Sequence, residues 1–133
     1  MNGPEHLRTW FLRLNGYLTT TNFYAHHKRE TLGEIDVTAV RCRHSQELPF
    51  EDSKALKIPS AKIDVVLAEA KRGDVSALSN SWNSSEKPAL EYVVRRVGVV
   101  PSKKVDEVCA SLRESRHTIL DDLSFRAVCC AVL

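Results

Sequence analysis

The sequence predicts a small α/β sandwich in which a helix, three strands, further helices and a closing strand follow one another. Three observations predict it. Leu7, Trp10, Phe11 and Leu14 recur at i, i+3, i+4 and i+7, the spacing of one helical stripe. Three runs rich in β-branched and apolar residues follow, the first two closely spaced and the third apolar at nearly every position. Helical periodicity then returns at Val105, Val108, Cys109 and Leu112, ahead of a final apolar run to Leu133.

In chain order, Asn2 can cap the first helix, with Glu5 at the capping-box position, and Asn15-Gly16 ends it. Tyr17 to about Ala25 reads as a strand, Lys28 to Leu32 as a polar loop, and Gly33 to Arg41 as a second strand antiparallel to the first. Residues 42 to 60, with Pro49 and Pro59, form a long excursion holding a short helix near Ser53 to Leu56. Lys62 to Lys71 is the third strand, and its apolar middle places it centrally in the sheet. Gly73 to Ser85 is irregular, with Trp82 as an anchor. Helices are expected from about Lys87 to Arg96 and from Ser102 to about Glu114, and a turn at Asp121-Asp122 leads to the last strand.

One domain of 133 residues with 43% hydrophobic residues can bury one core. The run from Phe125 to Leu133 stops without a polar tail, so the domain over 1–133 is expected to belong to a longer chain. Net charge is only +2, so a nucleic-acid partner requires locally gathered cations. Three clusters offer them: His26 to Arg29, Arg41 to His44, and Arg95-Arg96. Each is more often solvated surface than a binding site. The four cysteines show no CxxC spacing, which argues against zinc, and Cys129 and Cys130 sit in an apolar run as buried thiols. No signal peptide and no span of roughly 20 apolar residues is present, so a cytoplasmic protein without a membrane partner is expected.

Alternate residues of a strand share a face, so Glu69 and Lys71 share one, as do Glu34, Asp36 and Thr38. If the second and third strands pair, carboxylates from both converge beside an ammonium. Two carboxylates, with the Ala70 carbonyl between the charged pair, offer hard oxygen ligands for Mg²⁺ or Mn²⁺. Such an ion polarises a phosphoryl group and acidifies water, and a nearby Lys stabilises developing negative charge. Alone, an ExK tripeptide is weak; a strand that simply reaches solvent produces it too. Asp36 inside a strand is costly without a partner and favours function. Glu34 reads as a solvated neighbour, and Asp64, on the other face from Glu69 and Lys71, as structural.

Gly33-Glu-Ile-Asp36 followed by Val65-Val-Leu-Ala-Glu69-Ala-Lys71 resembles the signature of the PD-(D/E)xK, or restriction-endonuclease-like, nucleases. Pro4 to Tyr17 resembles the first helix of small Holliday-junction-resolvase-like members. Ile35 stands in place of the signature Pro, and the spacer before Glu69 is long. The resemblance covers residues 4 to 73 and continues beyond only in topology. It implies an α-β-β-β-α-β core, a mixed central sheet flanked by helices, and a metal-dependent DNA endonuclease. It implies Asp36, Glu69, Lys71 and Glu5 as catalytic residues; Asp36, Glu69 and the Ala70 carbonyl hold the metal. A homodimer goes with it, because two sites cut two strands. Lys28, Arg29, Arg41, Arg43 and Arg72 are the candidates to hold phosphates. His26, His27 and His44 read as surface residues and Tyr92 as core. Two alternatives stand beside it: a nuclease-like module with lapsed chemistry that binds DNA or a partner protein, and an unrelated α/β protein with an accidental ExK.

Overall fold

The computed structural model describes residues 3–27, 30–72 and 89–132. The chain is α/β: α1 (Gly3–Leu14), β1 (Leu18–His27), β2 (Glu30–Arg41), β3 (Ile63–Arg72), α2 (Ala89–Val97), α3 (Val105–Ser115), β4 (His117–Leu120) and β5 (Leu123–Val132). The five strands form one mixed sheet in the order β1-β2-β3-β5-β4. Only β3 and β5 run parallel; the other neighbours are antiparallel. The third strand is therefore central, as its apolar run predicts. Short 3-10 turns occupy Lys54–Leu56 and Ser102–Lys104.

Each face of the sheet carries its own core. On one, Val65 and Leu67 of β3 and Phe125 and Ala127 of β5 pack against Leu90, Val93 and Val94 of α2 and the expected α3 stripe, Val105, Val108, Cys109 and Leu112. On the other, Val37, Ala39, Val66 and Ala68 pack against Leu12 and Tyr17. Both faces of β3 are thus covered, and each fully buried Val or Leu contributes about 1.5–3 kcal/mol.

Three expectations change. The stripe Leu7, Trp10, Phe11 and Leu14 faces outward, and α1 instead buries Arg8, Thr9 and Leu12. The polar loop over Lys28 to Leu32 is shorter, because β2 already begins at Glu30; the β1–β2 register shifts between Ala25 and His26 to accommodate the extra residue. The turn at Asp121-Asp122 is a hairpin, with Leu120 paired to Leu123 across it, so a four-residue edge strand precedes the last strand. Asn2, Lys28, Arg29, Trp82 and the remainder of 73–88 lie outside the described residues.

Candidate functional site

The β2–β3 ladder runs from Arg41↔Asp64 to Val37↔Ala68 and stops there. The next residues along the two strands are Asp36 and Glu69. Beyond that point β2 continues beside β1 alone and β3 beside β5 alone. The two strands therefore fork, and Asp36 and Glu69 stand at its mouth.

Against β1 the register runs unshifted past Asp36, from Leu18↔Val40 to Ala25↔Gly33. Val37 lies in the α1-side core, whereas Ile35 is buried in the α2/α3-side core. Asp36 is partly exposed and Glu69 is buried at 7% exposure. Alternation along β3 assigns Glu69 to the side of Val65 and Leu67, that of α2 and α3. One step inside the fork, Thr38 is 5% exposed, and its hydroxyl has no hydrogen-bond partner among the described residues. A buried orphan hydroxyl is uncommon and marks a place where a further polar group fits.

The other expected site residues are distributed as follows. Ala70, Lys71 and Arg72 continue β3 opposite Cys130, Ala131 and Val132; their side chains, and that of Glu34, lie outside what is described. Glu5 sits in the first turn of α1, partly exposed. Its helix packs on the Val66 and Ala68 face, so the sheet separates Glu5 from the side to which alternation assigns Glu69. Arg41 is buried, and its guanidinium donates to Asn15 O at 3.1 Å, to Ser45 O and to Asp52 at 2.9 Å. Arg43 is exposed and pairs with Asp122. Arg95, Arg96 and His44 are exposed, and Tyr92 packs on the α2/α3-side core. Among the described residues no group of three or more His, Cys, Asp or Glu side chains could hold a metal ion; the fork's pair of carboxylates falls below that number.

Asp64, read from the sequence as structural, is fully buried under α1. Tyr17 donates its hydroxyl to Asp64, and Arg126 donates Nε to the same carboxylate at 3.2 Å and Nη2 to Tyr17 Oη at 3.1 Å. Burial, then the hydrogen bond to Asp64, raises the Tyr17 pKa well above that of an ordinary phenol. Sequence reasoning could not name Arg126 as the partner, because it comes from the neighbouring strand β5, which lies far later in the chain. Burial likewise pushes the Cys109 thiol up to about 12, which leaves it inert.

No family model, no curated protein and no solved structure matches this chain. Among the described residues no helix is long and apolar enough to cross a membrane.

Proposed function

We propose that the chain is a metal-dependent endonuclease of the PD-(D/E)xK kind, hydrolysing phosphodiester bonds in DNA at the mouth of the β2–β3 fork. The observation that carries this reading is where the ladder ends: at Val37↔Ala68, one step short of the two acids that the signature requires. The orphan hydroxyl of Thr38 beside them supports it.

The donor set suits a hard divalent cation, since Asp36, Glu69 and the Ala70 carbonyl are all oxygen ligands. Mg²⁺ or Mn²⁺ held there supplies Lewis-acid polarisation of the phosphoryl group and a more acidic water. In this reading the protein's own part is to supply two carboxylates to one ion, which makes cation capture favourable. Low exposure at Glu69 reduces competing solvation. Lys71 follows Glu69 by two residues in the sequence, as the signature requires, and in this reading its ammonium stabilises charge gathering on the transferred phosphoryl. Glu5, across the sheet, is left out of this set. A homodimer and a cytoplasmic setting accompany the reading.

Purified protein with Mg²⁺ or Mn²⁺ should nick or cut DNA, and Asp36→Ala or Lys71→Ala should lower the rate by at least a hundredfold. Full activity in both variants removes the reading. DNA binding that weakens with salt but never leads to cleavage selects the lapsed module instead.

A further inference from the structure

We propose that the basin between the end of β2 and the loop over 52–61 is a binding site for a phosphate group, distinct from the fork. The basin has a volume of about 500 Å³, within the range of sites that hold small ligands. Arg41, Arg43, Lys54 and Lys57 line it, against a single lining carboxylate, Asp52.

The four cations differ in role. Arg41 is buried and locked by Asn15, Ser45 and Asp52, so it sets a fixed positive charge in the wall. Arg43 reaches outward to Asp122. Lys54 and Lys57 are exposed, and their ammonium groups make no hydrogen bond or ion pair with any described residue. They sit three apart in one 3-10 turn, closed by the Lys57 N–H donating to Lys54 O at 3.2 Å. With Arg41 answered by Asp52 and Arg43 by Asp122, the two ammonium groups are the basin's unpaired cations among the described residues, and a bound anion relieves their mutual repulsion. Lys as a mobile point charge and Arg as a fixed donor together suit phosphate.

The backbone agrees. Lys57 and Ala61 both take left-handed conformations, at φ 48° and 55°. Such conformations are uncommon outside glycine and persist where surrounding structure holds them, often at ligand sites. The basin also stands apart from the fork. Arg41 lies five residues along β2 from Asp36, roughly 17 Å at the strand rise.

The phosphate can belong to a free phosphorylated small molecule or to a nucleic-acid backbone, and the experiment separates them. Without divalent metal and at low ionic strength, pyrophosphate binding is measured by titration calorimetry and binding of a labelled 20-nucleotide DNA strand by anisotropy. The proteins are wild type, Lys54→Gln/Lys57→Gln, Lys54→Arg/Lys57→Arg and a control of equal charge loss, Lys103→Gln/Lys104→Gln. Thermal melts confirm that all four fold. Saturable pyrophosphate binding that weakens at least tenfold in Lys54→Gln/Lys57→Gln, and is kept in the Arg pair and the control, supports the proposal and assigns a small molecule. The same pattern for the strand alone supports it and assigns a backbone phosphate. Equal affinities in the Gln pair and the control, or no saturable binding of either probe by wild type, overturn it. Because no metal is present, failure here is independent of the cleavage test.

Discussion

Asp64 and Asp36 are both acids within strands, yet one is fully buried and the other partly exposed. Asp64 has no exposure and is answered in full by Tyr17 and Arg126. Removing one member of a buried ion pair strands the other, at a cost of about 3–5 kcal/mol. Asp64→Ala should lose about that much in urea denaturation, whereas Tyr17→Phe, which deletes a single hydroxyl, should lose about 1–2 kcal/mol. The phenol gives a second readout. Its pKa is raised in the folded state, so its contribution to stability is complete below the unfolded value near 10 and fades as pH rises beyond it. Of the three tyrosines, Tyr17 should stay neutral in an ultraviolet titration when ordinary phenols ionise; ionisation of Tyr17 near pH 10 in the folded protein contradicts the network. The sequence revealed the structural character of Asp64 through its parity relative to Glu69. It concealed the partner, because Arg126 enters from a parallel neighbour strand formed much later in the chain.

The helices show where periodicity is reliable and where it misleads. The α3 stripe was legible, and all four of its residues are buried. In α1 the same rule picked out the exposed face, because polar anchors set the roll of that helix. Asn15 donates Nδ2 to Phe11 O at 2.7 Å and accepts from the Ser53 backbone, Thr9 satisfies Glu5 O at 2.8 Å, and Tyr17 is drawn down to Asp64. Gly16, at φ 83°, makes the required turn, and a Cβ there would meet Arg41 Nε at 3.3 Å. Leu12→Ala should therefore cost about 2–5 kcal/mol, while Trp10→Gln, on the outer face, should change stability by less than about 0.5 kcal/mol. Comparable losses in the two variants contradict this roll. The ion pair that fastens α2 to α3 carries a pH prediction. Burial raises the Glu91 pKa, but the paired hydrogen bonds from Arg113, one of them at 2.8 Å, outweigh it and hold the carboxyl below its usual value. Its stabilisation is present above the unfolded pKa near 4.3 and is lost as pH falls through the lower folded value. Glu91→Gln should flatten the acid limb of the stability profile there and leave neutral pH lower by about 1–2 kcal/mol. An unchanged acid limb would show that the pair does not couple the helices.

At the scale of the whole molecule, the central place of β3 was written in its composition, because a strand covered on both faces is apolar at nearly every step. The fork was not, since where two strands part depends on their separate loyalties to β1 and β5, which no local pattern records. That divergence gives the sheet two regimes. Amides of β3 up to Ala68 are held between two neighbours and should exchange with solvent only through global opening. Past Ala68 the side facing β2 is released, and protection should fall. If the fork captures a divalent cation, binding must stabilise the fold in proportion to its occupancy. At a hundred times the dissociation constant this amounts to about 2.7 kcal/mol, or a melting shift on the order of 10 °C for a domain of this size. Mg²⁺ or Mn²⁺ should therefore raise the melting temperature of wild type and restore protection near Glu69, and a chelator should reverse both. Asp36→Asn keeps the shape and removes a charged ligand, so its shift should vanish, while Lys54→Gln/Lys57→Gln should retain it. An equal shift in Asp36→Asn would place the cation elsewhere, and the fork would then be only the point where two strands part.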